Sequence, residues 1–215
     1  MAGILYQGAN NIDGRAAARA RLVQSLARRS AAGRLLARDA ERVACACHAM
    51  SLRFHLGGKL IVFGAGSSSA DAQHIAVEFL HPVIVGKRPL PAIALNNDVA
   101  TVSGIANARG FDEAFAHQIR HIAAPEDIAL GIDSDRLSAG MLRALETARE
   151  RDLLTIAMTT GEPTERGSKV DFEFVAHTDD PMVAKEIQVT TYHILWELVH
   201  VFFEHPGVFG PGFAQ

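Results

Sequence analysis

Apolar residues in the first quarter of the chain fall at helical spacing. Leu36, Ala40, Val43, Cys47, Met50 and Phe54 recur at alternating intervals of four and three, drawing one continuous stripe down a helix. The pattern predicts two helices, over residues 13–30 and 32–56, joined around Ser30 to Gly33 and ended by Gly57 and Gly58. The stripe needs a partner, supplied either by the core or by another subunit. Beyond it, short apolar runs alternate with amphipathic stretches. Strands are predicted at Leu60–Phe63, Pro91–Leu95, Asp127–Ile132, Leu153–Met158 and Phe172–Ala176. Helices are predicted at Ala70–Leu80, Asp98–Ala106, Asp112–Ile122, Ser138–Glu150 and Pro181–Glu204. Such alternation points to an α/β fold, with a five-stranded parallel sheet covered by helices on both faces and an N-terminal helical pair in front. Residues 1–56 are then the helical extension and residues 57–215 the α/β domain, as one structural unit overall.

Composition narrows the function classes. A chain of 215 residues with 48% hydrophobic and 21% charged residues suits one domain with a full core. A formal charge of −3 gives no support for a nucleic-acid surface. The arginines that do cluster, from Arg15 to Arg42, alternate with Ala and Leu and read as a solvated helix face. No uninterrupted apolar run approaches the roughly 18 residues of a membrane span, and Met1-Ala-Gly-Ile-Leu-Tyr carries no secretory pattern, so a cytoplasmic location is expected. Cys45 and Cys47, two apart on a helix, point to nearly opposite sides and make neither a disulfide framework nor a metal clip.

The chemistry concentrates between Lys59 and Glu78. An apolar strand runs into Gly64-Ala-Gly66, then Ser67, Ser68 and Ser69 at a helix start, where hydroxyls, backbone N–H groups and the helix dipole favour an anion. His74 and Glu78, four apart, share one helix face; alone they read more readily as an ordinary exposed pair. Dinucleotide binding is disfavoured, because Ser69 stands at the third glycine and no acidic residue follows the second strand. A P-loop is excluded by the lack of Gly-Lys-Ser/Thr. A phosphorylated small molecule and proton transfer fit best.

The segment Gly64-Ala-Gly-Ser-Ser-Ser-Ala-Asp71-Ala-Gln-His74-Ile-Ala-Val-Glu78 resembles that of the sedoheptulose 7-phosphate (phosphoheptose) isomerases of the sugar-isomerase, or SIS, fold. Arg88-Pro, Pro91-Ala-Ile-Ala-Leu-Asn96-Asn-Asp98, Ile105-Ala-Asn107, Asp127–Ile132 and Lys185-Glu186-Ile…His193-Ile-Leu extend the resemblance over residues 13–205. It implies a homotetramer assembled partly through the N-terminal helices, with active sites at subunit contacts. It also implies aldose–ketose interconversion of a phosphorylated sugar through an enediol, which needs one group for a carbon-bound proton and another for the oxygen protons. Glu78 matches the family's carboxylate base and His193 its catalytic histidine. Ser67, Ser68, Ser69, Asn96, Asp98, Ser134, Ser138 and Lys185 fall at positions expected to face the substrate. No cofactor is required, while some members hold zinc on the equivalents of His74, Glu78 and His193 with a further glutamine.

Two departures change the expectation. The family's phosphate loop, rich in Ser and Thr, here reads Asp133-Ser134-Asp135-Arg136-Leu137-Ser138, and carboxylates accept hydrogen bonds but repel a phosphate dianion. The metal-site glutamine is Lys185, whose ammonium cannot ligate a cation; Glu186 could substitute. A non-catalytic SIS tetramer serving as a binding or assembly module, or an SIS protein with a changed ligand, is the alternative reading.

Overall fold

A computed structural model describes residues 11–134, 137–161 and 170–205. The chain opens with α1 (Asn11–Leu36), one 3-10 turn at Ala37–Asp39, and α2 (Ala40–His55). There follow β1 (Leu60–Gly64), α3 (Ser68–Leu80), β2 (Ala92–Ala94), α4 (Val99–Arg109), a 3-10 turn, and α5 (Ala114–Ile122). The second half runs β3 (Ile128–Ile132), α6 (Ala139–Glu150), β4 (Leu154–Thr160), β5 (Phe172–Ala176) and α7 (Pro181–Glu204). The predicted break at Ser30–Gly33 is corrected: α1 continues through it to Leu36. A glycine inside a helix costs only about 1 kcal/mol relative to alanine, and the Ala, Leu and Arg around it are strong helix formers. Packing of Ala32 and Leu36 against Val183, Ala184 and Ile187 of α7 holds this last stretch helical.

The five strands form one sheet of order β2-β1-β3-β4-β5, and every neighbouring pair is parallel. Period-two alternation sends Leu60, Val62, Ile128, Leu130, Ile156 and Met158 to one face and Ile61, Phe63, Ala129 and Ala157 to the other. The first face is covered by α2, α3 and α7, through Val43, Met50, Phe54, Ile75, Phe79, Leu195 and Val199. The second is covered by α5 and α6, through Phe115, Ile119, Met141 and Leu145. The predicted apolar stripe is thus mostly core, although Ala40 stays exposed. Among the described residues no helix is long and apolar enough to cross a membrane.

This strand order places the topological switch point between β1 and β3, where chain connections leave in opposite directions. The last paired residues of those strands, Gly64 and Ile132, stand side by side at its mouth. The loops that open α3 and α6 therefore flank one crevice.

Candidate active site

The turn after β1 is tight for steric reasons. A Cβ on Gly64 would lie 2.7 Å from the Ser68 carbonyl oxygen and 2.9 Å from both Cγ2 and the carbonyl oxygen of Ile132. Gly66 turns the chain with φ +57°. Asn96 clamps the same turn, its amide donating to the Gly64 carbonyl at 2.6 Å and accepting from the Gly64 N–H at 3.3 Å. Asp98 lies nearby in sequence but caps α4, accepting from the Thr101 N–H at 3.0 Å and the Thr101 hydroxyl at 2.5 Å. Those bonds, the hydroxyl's first, hold its carboxyl below the usual carboxylate range.

The anion cradle is less open than its serines suggest. Helix α3 begins at Ser68, two residues ahead of the predicted start, and its approach is already wound. Ser68 N–H donates to Ala65 O at 3.0 Å, Ser69 N–H to Gly66 O at 3.2 Å and Ala70 N–H to Ser67 O at 3.3 Å. The Ser69 hydroxyl folds back onto Gly66 O. These N–H groups were expected to await an anion; instead they have acceptors inside the turn. The Ser67 side chain remains at the exposed edge, while Ser68 is fully buried.

Helices α3 and α7 both start from carboxyl ends of strands and run side by side, joined by a polar seam. Asp71, His74 and Glu78 repeat at three and four along α3, and Lys185 and Tyr192 stand seven apart on α7, so each set shares a face. At the top of the seam the Lys185 ammonium pairs with the Asp71 carboxylate and donates to Ser67 O at 3.1 Å. Lower down, the Tyr192 hydroxyl lies 2.7 Å from His74 Nδ1, and His74 Nε2 lies 3.1 Å from Glu78 Oε1. Burial raises the Tyr192 phenol well above its ordinary value, with the Asp71 and Glu78 carboxylates adding to the effect. The phenol therefore keeps its proton. With the Tyr192 hydroxyl donating to Nδ1, the opposite ring nitrogen is left to donate its Nε2–H to Glu78.

His193 completes the group. Its ring lies 5.5 Å from that of His74 and 4.8 Å from that of Tyr192, edge-on to both. One ligand-type atom from each of His74, Glu78 and His193 falls within 4.8 Å of the other two. Glu78 and His193 open onto a cleft of about 490 Å3 whose other walls include Val83, Ile84, Lys87, Trp196 and Glu197. That volume suits a small polar metabolite.

Across the crevice Asp133 ties the end of β3 to the start of α6. The Asp133 carboxylate accepts from the Ser138 N–H at 3.0 Å, and the Asp133 carbonyl accepts from Gln188 Nε2 at 2.7 Å. An amide at the start of α6 that could greet a phosphate is thus already taken by a carboxylate. Ser134 and Ser138 are exposed beside it, and Asp135 and Arg136 lie outside the described residues.

The expectation that Glu186 could join the metal ligands is corrected. Its carboxylate forms a two-point pair with Arg29 of α1, at 2.6 and 2.8 Å, away from His74 and Glu78. The core face of α7 carries polar residues as well as apolar ones. Gln188, Tyr192, Trp196 and His200 are buried, whereas Val201 is exposed. Tyr192, Gln188 and Asp71 belong to the site without being among the residues the sequence singles out. The seven-residue spacing of Asp71 to Glu78 and of Lys185 to Tyr192 was the readable signal, once the two helices are known to run side by side.

A zinc ion fits the donor chemistry of His74, Glu78 and His193, two imidazoles and a carboxylate within reach of one centre. Tyr192 at His74 Nδ1 would be the outer partner that orients an imidazole ligand.

Comparison with known proteins bears on the family and the fold. The family model described as SIS domain matches residues 27–160. The phosphoheptose isomerase of Thermodesulfovibrio yellowstonii is 40% identical over 151 residues, covering 70% of this chain and 75% of that protein. The phosphoheptose isomerase of Solidesulfovibrio magneticus is 34% identical over 194 residues, covering 89% and 95%. The solved structure of a phosphoheptose isomerase from Francisella tularensis superposes with a TM-score of 0.78 at 29% identity, covering 86% of this chain and 98% of that one.

Proposed function

The chain belongs to the SIS domain family, and on that premise we propose that it is an aldose–ketose isomerase of the phosphoheptose type, acting on sedoheptulose 7-phosphate. The observation that carries the reading is the clustering of His74, Glu78 and His193, of which Glu78 and His193 line one cleft. Isomerisation moves a proton between C1 and C2 and a second between their oxygens. The Glu78 carboxylate is suited to take the carbon-bound proton, and His74 holds it in place from Nε2. His193, exposed at the cleft, is suited to carry the oxygen-bound proton across the enediol. This route runs on side chains alone and requires no cofactor. If zinc occupies His74, Glu78 and His193, it supplies Lewis-acid polarisation of the sugar oxygens.

Eight residues separate Lys185 from His193, about 12 Å along the helix, the length scale of a seven-carbon chain ending in phosphate. The proposal extends to a cytoplasmic homo-oligomer, a tetramer by resemblance. Leu22, Val23 and Leu26 on α1, and Val83 to Val85 beside the cleft, expose apolar side chains that a second subunit would cover. The test is conversion of sedoheptulose 7-phosphate by the full chain, with Glu78→Gln and His193→Ala alongside. Turnover by the native protein and its loss by at least about a hundredfold in each variant is expected. Absence of isomerisation of any six- or seven-carbon sugar phosphate defeats the reading and leaves a non-catalytic binding module.

A further inference from the structure

The start of α3 is poor in free donors. The N–H groups of Ser68, Ser69 and Ala70 are bound within their own turn, and across the crevice the Ser138 N–H is taken by Asp133. A phosphate dianion entering between β1 and β3 therefore meets fewer open amides, and more carboxylate, than a helix-flanked crevice normally offers. Two observations at this spot point to a ligand. The Ser68 hydroxyl is fully buried and has no hydrogen-bond partner among the described residues, an arrangement that is costly unless something else completes it. From the neighbouring helix the Lys185 ammonium reaches the residues on either side of it, Ser67 and Asp71. An ammonium carries three N–H donors. Here one meets Asp71 and one meets Ser67 O, which leaves a third, on a side chain 34% exposed to solvent.

We infer that Lys185 is the specificity-determining residue for the phosphate, and that the anion is held at the start of α3 by Lys185 and the serine hydroxyls rather than at the start of α6. Asp71, only 7% exposed, lies behind the ammonium and fixes its position. The pair stays neutral until the anion arrives. The third N–H then makes a charge-assisted hydrogen bond to a phosphate oxygen, and the exposed Ser67 is placed to add its hydroxyl to it. This assignment explains how a chain with Asp133 in its phosphate loop can keep a phosphorylated ligand. It rests on the isomerase reading for the identity of the sugar, though not for the anion.

The experiment is titration calorimetry of the full chain with inorganic phosphate and with sedoheptulose 7-phosphate, paired with steady-state kinetics. Lys185→Met removes the ammonium, Lys185→Arg keeps the charge, and the double variant K185M/D71N removes the ammonium without leaving a buried carboxylate unpaired. Circular dichroism checks that each variant folds. K185M and the double variant should lose about ten- to hundredfold in affinity for both probes, the range one charge-assisted hydrogen bond gives. KM should rise by the same factor with kcat moving less than about threefold, and Lys185→Arg should recover most of the loss. Phosphate binding by the double variant within about twofold of native overturns the assignment, as does a native protein that binds no phosphate. Lys185-dependent phosphate binding without sugar turnover keeps it and removes only the isomerase reading.

Discussion

Tyr192→Phe isolates one hydrogen bond. The ring is 1% exposed, so phenylalanine fills the same space and opens no cavity. What is lost is the 2.7 Å bond to His74 Nδ1. Its net worth is about 0.5–1.5 kcal/mol, because His74, 43% exposed, can give Nδ1 to water instead. Global stability should therefore change little: at about 2–4 °C per kcal/mol for a chain of this size, the melting temperature should fall by no more than about 6 °C. The effect on turnover is more specific. Without Tyr192 the imidazole is free to rotate or change tautomer, and Nε2–H is no longer held on Glu78. If the full value of the bond is used to orient the base, kcat falls between about twofold and tenfold, with KM within about twofold. The assay is steady-state conversion of sedoheptulose 7-phosphate, alongside thermal unfolding. An unchanged kcat refutes the view that Tyr192 positions His74. A fall beyond about a hundredfold refutes it too, since a positioning bond cannot supply that much and Tyr192 would then be acting on the substrate itself.

Gly64→Ala places a methyl 2.7 Å from the Ser68 backbone, which cannot step aside without moving α3, so a loss of about 1–3 kcal/mol in thermal or urea unfolding is expected. Gly131→Ala should be the milder change, because its nearest obstacle at 2.6 Å is the flexible Met141 side chain; equal losses would show that the β1–α3 turn has more slack than its geometry indicates. Burial pushes the Cys47 thiol up to about 12, while Cys45 is exposed. A thiol reagent at pH 8 should label one cysteine per native chain and both in denaturant, and rapid labelling of Cys47 in the native protein would contradict its place in the core.

The sheet was legible because strand burial has a simple sequence consequence. Runs such as Leu60–Phe63 and Ile128–Ile132 are apolar throughout only when both faces are covered, and the structure covers both. Helix boundaries were less legible where weak breakers sat among strong formers, as at Ser30–Gly33, since tertiary packing on α7 outweighs a small local preference. The site divides along a similar line. His74 and Glu78 were readable because their relation is local, four residues along one helix. Convergence with His193 could be expected only through resemblance, because the distance between α3 and α7 is a property of the fold.

Local side-chain bonding was the least legible. Asn96 and Asp98 have the chemistry to face a sugar, yet one holds the Gly64 turn and the other caps α4. A polar residue near a site is as often needed to satisfy backbone groups as to meet a ligand, and sequence does not distinguish the two uses. The same ambiguity hid the meaning of Asp133. As a charge it repels phosphate; as a cap on Ser138 it stabilises the start of α6 and closes that amide to any other anion. On the assignment of the anion to Lys185 inferred above, anion binding falls to the α3 side, where the residue at the family's glutamine position is a lysine. The two departures from the family pattern, an acid on one wall of the crevice and a base on the other, are then a single compensated change in how the site meets its anion.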